Sequence, residues 1–258
     1  MKTRKHPLLL LVFLLGVVFL TETTIPKSEA RQNSGKKSNA QPHFVGRKLK
    51  GRWKLIKRRR GIKVYSMKVK GSPLIAMRGD AVLNAPLPKA VYLLHNVPLK
   101  TKWVSRLKKI YTVHTYSPTN LVNYAHYDLP WPVADRDFVY QTRLVIDNKL
   151  QQIRWYTLSV SHPKAPKTVG VRGELLYSRY VLKPIDNGRK TFLRAEIQGN
   201  PKGSLPIFLV NLIQKQWPYK TIRGIRKALK KSFVKEHLAV KKALQRWQKS
   251  KKMGSQNP

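Results

Sequence analysis

The eleven residues Leu129–Val139, LPWPVADRDFV, decide how this chain folds. Pro130 and Pro132 fix φ and lack an N–H group, so they keep the segment extended and outside a regular hydrogen-bonded ladder. Trp131 lies between them and is held rigidly. The segment therefore predicts an anchored corner that leads into a β-strand, and it indicates no chemistry of its own.

The corner runs directly into a strand whose two faces differ. Asp135 and Asp137 are two residues apart, so they share one face of this strand, and Arg136 lies on the other. Beyond them, one set of alternating side chains is nearly all apolar or aromatic, and the other set carries the charges. The first set is predicted to face inward, and it consists of Phe138, Tyr140, Thr142, Leu144 and Ile146.

The rest of the chain predicts an antiparallel sheet followed by a helix. Runs of β-branched and aromatic residues separated by Gly, Pro, Asn and Asp predict further strands, at Ile62–Lys70, Leu74–Leu83, Ile110–Tyr116, Leu121–Tyr127, Gln151–Val160, Val171–Leu182 and Thr191–Gln198. The spacing of apolar residues predicts a short helix within Lys48–Arg60. After Pro206 the apolar period becomes helical up to Leu229, with a kink expected at Pro218. This is the α+β class, a curved sheet wrapped around a long C-terminal helix.

These segments resemble the START family, the steroidogenic acute regulatory protein-related lipid-transfer domain. In that family, Pro-Trp-Pro followed by Asp-Arg-Asp-Phe-Val is a recurring signature. Trp53, Gly61–Tyr65 and Trp103 stand where the family has its first strand and a tryptophan after its first long helix. Asn200–Pro206 resembles the junction between last strand and last helix, with Asn200 where Asp is more usual. The resemblance covers Arg47 to Lys231 and implies the helix-grip fold.

The resemblance also implies a lipid-sized tunnel under the last helix. The residues alone leave two alternatives open, because an apolar strand face lines a filled core as well as a hollow one. For a hollow interior, Tyr140, Thr142 and Asn211 are the candidate polar groups that orient a ligand. The predicted lining consists of Phe138, Tyr140, Thr142, Leu144, Val171, Leu175, Tyr177, Ile207, Val210, Asn211 and Trp217. The implied function is binding and transfer of a lipid or another hydrophobic molecule.

Charge indicates a second partner. The chain has 53 Lys and Arg against 11 Asp and Glu, a net charge of +42. Basic residues at the end of the last helix favour docking to an anionic membrane surface; these are Arg223, Arg226, Lys227, Lys230 and Lys231. A nucleic acid or another polyanion is the alternative partner, because phosphate backbones attract such charge. The export signal described next argues against nucleic acid.

The N-terminus is typical of an exported protein. Lys2, Arg4 and Lys5 precede the apolar run Leu8–Leu20, which has the length of a signal-peptide core and is short for a membrane span. Ser28–Ala30 offers small residues for cleavage, and an uncleaved anchor is the alternative. The chain has no cysteine, which in an exported protein favours a bacterial periplasm.

The predicted organisation is a signal segment 1–30, a linker 31–46, a lipid-binding domain 47–232 and a basic tail 233–258. We expect a monomer. Hydrolase, nucleotide-binding and metalloprotease motifs are absent from the sequence, so no enzyme activity, cofactor or metal is expected. An enzyme that uses the same interior is the remaining alternative, with His126 and Asp128 as its candidate acid–base pair.

Overall fold

The structure is a computed structural model that describes residues 49–129, 131 and 133–254. The described residues belong to one compact unit. In this part of the chain one sheet contains ten strands, which are β1 (Lys54–Arg59), β2 (Ile62–Met67), β3 (Ala76–Leu83), β4 (Leu107–Ser117), β5 (Asn120–Tyr127), β6 (Arg136–Asp147), β7 (Gln152–Ser159), β8 (Val171–Arg172), β9 (Glu174–Ile185) and β10 (Lys190–Asn200). The predicted signal segment and the linker lie outside the described residues.

In the described part of the chain, one helix follows β3 and three helices follow β10. They are α1 (Leu87–His95), α2 (Ile207–Gln214), α3 (Trp217–Ala228) and α4 (Leu238–Gly254), with 3₁₀ turns at Pro98–Lys102 and Asp186–Gly188. The strand order is β1-β2-β3-β10-β9-β7-β6-β5-β4, and all of these neighbours are antiparallel. Only β8 departs from this pattern, because it lies parallel to the start of β6. The predicted α+β sheet around C-terminal helices is confirmed.

The helix predicted within Lys48–Arg60 is wrong, because Lys54–Arg59 forms strand β1. Arg60 and Gly61 both have positive φ, 50° and 67°, which makes the tight turn that pairs β1 with β2. All six residues of β1 are exposed. This segment therefore has no buried face whose apolar spacing would distinguish a helix from a strand. Pairing with β2 decides the outcome.

Helix α3 fixes which face of the sheet is internal. It contacts β3 and β2, and Ile222 and Ile225 are fully buried against them. Gly79 permits the approach, since a Cβ at this position would lie 2.7 Å from Ile222 Cδ1 and 2.9 Å from Pro218 Cβ. We call the face that carries Gly79 and contacts α3 the inner face.

The long C-terminal helix is broken rather than kinked. α2 ends at Gln214, and α3 begins at Trp217 with Pro218 in its first turn, because proline lacks the N–H that a continuous helix requires there. Gly224 does not bend the chain. Its role is close contact, since a Cβ there would lie 2.7 Å from the backbone oxygen of Trp103.

Part of the predicted basic tail folds as helix α4, which packs against α1. Its buried side is apolar and consists of Val240, Ala243, Leu244 and Trp247. Trp247 Nε1 donates a hydrogen bond of 3.0 Å to Asn148 Oδ1, and Gln248 Nε2 donates one of 3.0 Å to the carbonyl of Asn187. These contacts hold α4 at the turns that end β6 and β9.

The Asp-Arg-Asp triplet ties three separate segments together. Asp135 accepts hydrogen bonds from Leu129 N at 3.0 Å and from His126 Nε2 at 2.6 Å. Arg136 points to the opposite side and donates to the carbonyls of Pro201 at 2.9 Å and Lys202 at 3.2 Å. The triplet therefore fixes the corner before β6 and the junction that leads into α2.

Asp137 holds the long connection between β7 and β9 on the outer face. Its fully buried carboxylate pairs with Arg172 and accepts hydrogen bonds from Thr168 Oγ1 at 3.1 Å and Val169 N at 3.0 Å. These donors, with Arg172 as the charge partner, overcome the effect of burial and hold the pKa of Asp137 below its usual range. The triplet is a structural device, as its sequence indicates.

Candidate functional site

The middle of the inner face is built from small hydroxyl-bearing side chains. The strand register places Thr142, Thr157 and Ser178 side by side on β6, β7 and β9. The next row along the strands contains Leu144, Trp155 and Tyr180 in the same order. Small residues across the centre of a curved sheet leave volume above it that larger side chains would fill.

Three tyrosines lie on this face, and two of them keep part of their surface accessible. Burial raises the pKa of Tyr127 to about 12, and it also raises the pKa of Tyr140 and of Tyr180. Tyr127 and Tyr180 nevertheless remain only half-buried by accessible surface. Tyr127 and Tyr180 therefore keep surface that a ligand on this face could contact.

The hydroxyls of these tyrosines have no partner in the described part of the protein. None of the three has a hydrogen-bond partner among the residues that the structure describes. By contrast, Asn123 on the same face is fully used, since it accepts a bond of 3.1 Å from Thr112 and contacts Thr142 at 3.5 Å. On the inner face, the amide of Asn123 is therefore hydrogen-bonded between β4 and β6, whereas the hydroxyls of Tyr127 and Tyr180 have no partner among the described residues.

A lysine shares this environment. Lys100 lies in the 3₁₀ turn Pro98–Lys102, and its Nζ lies 5.6 Å from the ring centroid of Trp155. The Trp155 ring is buried on the inner face and also contacts His95, with centroids 5.4 Å apart. Burial lowers the pKa of the Lys100 ammonium to about 8.

The β-strand residues predicted to line the interior have mixed positions. Phe138, Tyr140, Thr142 and Leu144 lie on the inner face. Leu175 joins them through contacts with the cluster of Leu107, Ala125 and Tyr140. Gly173 lies against the Phe138 ring, which occupies the space that a side chain at position 173 would need. Val171 lies beside the Asn200–Pro206 junction, where its methyl groups approach Gly203.

The prediction that Tyr177 lines the interior is wrong, because Tyr177 lies on the outer face. Its hydroxyl donates a hydrogen bond of 2.8 Å to Glu196, which also pairs with Arg179. A bulge between Gln198 and Gly199 in the β9–β10 pairing reverses the alternation between Leu175 and Tyr177. The simple period of two fails at this point.

The predicted helical lining residues separate into two groups. Val210 is buried, and Trp217 is half-buried with its ring centroid 6.5 Å from that of Tyr180. Ile207 is exposed. The prediction that Asn211 is a free polar group for a ligand is wrong. Its Oδ1 accepts a hydrogen bond of 3.1 Å from Ile75 N, and its Nδ2 donates one of 3.2 Å to the carbonyl of Pro73.

The basic residues predicted to dock to a membrane fall into two groups, one exposed and one hydrogen-bonded within the protein. Arg223, Lys227, Lys230 and Lys231 are exposed. The prediction that Arg226 is a docking residue is wrong, because its guanidinium donates hydrogen bonds to the carbonyls of Arg60 at 2.6 Å and Val82 at 2.8 Å. It joins α3 to the β1–β2 turn and to β3, and it is not a free cation.

Sequence reasoning missed a cation cluster around Tyr219. Lys57 Nζ lies 5.4 Å from the Tyr219 ring centroid, and the guanidinium carbons of Arg59 and Arg223 each lie 5.7 Å from it. We call these four residues the Tyr219 cluster. Placing Lys57–Arg59 in a helix concealed it, because the alternation of β1 is what puts residues 57 and 59 on one side.

Neither metal chemistry nor the predicted acid–base pair finds support in the described residues. Among them no group of three His, Cys, Asp or Glu side chains is arranged to hold a metal ion. His126 bonds Asp135 rather than Asp128. No helix in the described ranges is long and apolar enough to cross a membrane.

A surface groove of about 640 Å³ lies elsewhere, between α1 and α4. His95 and His237 meet in it, with Nδ1 of the first 3.2 Å from Nε2 of the second. The groove opens to solvent and does not include the inner-face tyrosines. We therefore assign the candidate site to the inner face.

Comparison with known proteins agrees with this architecture. A family model described as START domain matches residues 49–233. The chain therefore belongs to the START domain family, which confirms the resemblance seen in the Leu129–Val139 segment. The match ends at Phe233, so α4 lies beyond it.

Several relatives are named as lipid-transfer proteins. The chain is 25% identical to the phosphatidylcholine transfer protein of Bos taurus over 181 residues, which cover 68% of this chain and 83% of that protein. The solved STAR-related lipid transfer protein of Xanthomonas axonopodis superposes with a TM-score of 0.62 at 25% identity, over 69% of this chain and 99% of that one. An uncharacterized Pseudomonas aeruginosa protein, PA1579, is 28% identical over 195 residues, 72% of this chain and 91% of that protein.

Proposed function

We propose that this protein binds a lipid in an enclosed space on the inner face of the sheet and transfers it between membranes. The observation that carries the proposal is the make-up of the inner face, where the row of small hydroxyl side chains Thr142, Thr157 and Ser178 adjoins the half-buried Tyr180. Membership of the START family and the names of the relatives support it.

The inner face suits an amphiphile. Phe138, Leu144, Leu175 and Trp155 supply apolar surface, and burying an acyl chain gains about 0.8 kcal/mol per methylene. A lipid leaves a bilayer only when the protein offers an equally dry environment. The tyrosine and threonine hydroxyls supply the few polar groups that orient such a ligand. Binding without covalent chemistry is all that this arrangement requires, so we propose a carrier and not an enzyme.

Helix α2 is the element that we propose moves to admit the lipid. It presents Phe208, Leu212 and Ile213 to solvent, and Asn211 ties it to the loop before β3. An exposed apolar helix face is unfavourable in water and is typical of a surface that enters a membrane interface.

The Tyr219 cluster supplies the electrostatic part of docking. Each cation near an anionic membrane surface contributes about 1 kcal/mol. Lys57, Arg59 and Arg223 belong to one cluster with no carboxylate partner among the described residues. The apolar run Leu8–Leu20 supports an exported protein, and we propose that the transfer occurs outside the cytoplasm by a monomer.

Lipid transfer between vesicles tests the proposal. Purified protein is mixed with donor vesicles that contain a fluorescent phospholipid and with acceptor vesicles, and the transfer rate is measured with neutral and with anionic acceptors. We expect transfer that is faster to anionic acceptors. Absence of both transfer and lipid retention contradicts the proposal.

A charge variant separates docking from general basicity. The triple substitution Lys57→Gln, Arg59→Gln, Arg223→Gln should weaken binding to anionic vesicles by on the order of 100-fold. The matched control changes Lys241, Lys242 and Arg246 of α4 to Gln. If duplex DNA at equal ionic strength binds more tightly than anionic vesicles, the polyanion alternative is the better one.

A further inference from the structure

The proposed function leaves the headgroup of the lipid undefined, and Lys100 defines it. The 3₁₀ turn Pro98–Lys102 directs the Lys100 ammonium over the inner-face ring of Trp155, 5.6 Å from its centroid. The side chain is half-buried, and its Nζ has no hydrogen-bond or ion-pair partner among the described residues. A half-buried ammonium without a counter-charge is less well solvated than a surface lysine, so a ligand that supplies a negative charge would stabilise it.

The described part of the chain offers Lys100 no counter-charge. Every described carboxylate except that of Asp128 makes an ion pair elsewhere. Asp128 is exposed in the loop after β5. The other inner-face cation, Arg136, differs because backbone carbonyls occupy its guanidinium. Lys100 is therefore the cation that a ligand can neutralise.

The neighbours of Lys100 supply no negative charge either. His95 adjoins Trp155, and burial together with the charges of His237 and Lys100 lowers the pKa of His95 to about 4. His95 is thus neutral at pH 7, and an imidazole has no negative charge that could pair with Lys100. Trp103, three residues further along the chain, has a buried Nε1 donor without a partner in the described residues.

We infer that the ligand is an acidic amphiphile whose carboxylate or phosphate pairs with Lys100, while its acyl chain lies along the apolar inner face. This inference rests on the proposed function and names its substrate class. A neutral lipid leaves the ammonium desolvated and unpaired. An acidic headgroup supplies a charge-assisted hydrogen bond in a dry environment, where such bonds are strongest.

Defined lipids with matched oleoyl chains test the inference on the delipidated full chain. The probes are oleate, dioleoyl phosphatidate, dioleoyl phosphatidylcholine and dioleoylglycerol, and binding is measured by native mass spectrometry and by competition. We expect oleate or phosphatidate to bind most tightly. The oleate and phosphatidate arms distinguish a carboxylate from a phosphate headgroup.

Three variants assign the effect to one ammonium. Lys100→Met should weaken binding of the preferred acid by about 30-fold or more and leave dioleoylglycerol unchanged, whereas Lys100→Arg should retain it. Lys102→Met is the matched control, because Lys102 is in the same 3₁₀ turn, is exposed, and lies over the Phe233 ring instead. The interior contact should persist at high ionic strength, which screens adsorption to the basic surface.

A stability measurement gives an independent readout. Since Lys100 is an unpaired desolvated cation, ligand-free Lys100→Met should melt at a higher temperature than the wild type, while Lys102→Met should not. Equal binding of acidic and neutral lipids, or full acid binding by Lys100→Met, overturns the inference and leaves the proposed function intact. Failure of the wild type to bind any of the four lipids overturns both.

Discussion

Of the two halves of the C-terminal helical segment, α2 is the more apolar in sequence, and yet its apolar side chains are the more exposed. In α2, Phe208, Leu212 and Ile213 are 73%, 54% and 57% exposed, whereas in α3 Ile222 and Ile225 are fully buried. α3 makes close contact with β3 through Gly79. α2 is held mainly by polar contacts, which are those of Asn211 and a 2.8 Å hydrogen bond from Gln214 Nε2 to the carbonyl of Gly199.

This difference separates anchoring from access. Burial of large apolar side chains stabilises the native state over the whole domain, and α3 supplies it. A segment with few buried apolar contacts opens at low free-energy cost, which suits α2 to the entry of a lipid. The break before Pro218 allows one half to move while the other half stays in place.

The largest effect should come from the anchor. Ile222→Ala removes a fully buried side chain, and the expected loss in the free energy of unfolding is about 3–4 kcal/mol. Urea denaturation measures it. Leu212→Ala in α2 is the matched control and should change stability by less than about 0.5 kcal/mol; equal losses in the two variants would contradict the division into anchor and entry helix.

A second effect should come from protonation of His95, which ends α1 and contacts His237 directly before α4. The pKa of His95 is lowered to about 4, mainly by burial and then by His237 and Lys100. Because the folded-state pKa lies below the unfolded value of about 6.5, the unfolded chain takes up the proton first as the pH falls. Stability contributed by neutral His95 is therefore complete above about pH 6.5 and is lost progressively towards pH 4.

The expected size of this acid effect is on the order of 2 kcal/mol after allowance for partial exposure. Thermal melts between pH 7 and pH 4 measure it, with His95→Phe as the variant that should flatten the profile. Carboxylates also titrate in this range, so the difference between the two profiles is the relevant quantity. Identical pH profiles for the two proteins would rule out His95 as the source.

A smaller effect is expected where α2 is attached. Asn211→Ala removes two hydrogen bonds to the loop Pro73–Ile75, and the expected cost in stability is about 1 kcal/mol. Because the attachment restrains α2, lipid exchange should become faster in this variant. Hydrogen exchange of the α2 amides checks the loosening directly, and unchanged protection there would show that other contacts hold the helix.

The smallest effect on stability should accompany a clear effect on transfer. Phe208→Ser changes an exposed side chain, so the free energy of unfolding should move by less than about 0.5 kcal/mol. Insertion of α2 into the membrane interface should weaken, and the vesicle transfer rate should fall. Normal transfer by a stable Phe208→Ser protein would remove Phe208 from the docking surface.

The sequence predicts the sheet well where alternation is strict and less well where it is interrupted. The alternation in Phe138–Ile146 identifies the inner face of β6, because a clear apolar set opposes a charged one. Tyr177 was misplaced because the bulge at Gln198–Gly199 depends on pairing between strands, which a single segment does not reveal. Pro218 gave the position of the break between α2 and α3 from local chemistry alone.

The most informative site residue was also the least visible in the sequence. Lys100 is one of 53 basic residues, and nothing local distinguishes it from Lys102. Only the 3₁₀ turn and the position of Trp155 on β7 determine that the first is enclosed and the second exposed. In a chain this basic, composition hides a cation such as Lys100 whose environment differs from that of its neighbours.

Strand β1 has a consequence for how the protein behaves at high concentration. It is an outer strand of the sheet, so one row of its backbone N–H and C=O groups has no strand beside it among the described residues. Such a row is a template for pairing with another molecule. Lys54 and Lys57–Arg59 place like charges along it, so two copies repel each other edge to edge, and neutral or acidic replacements there should promote self-association.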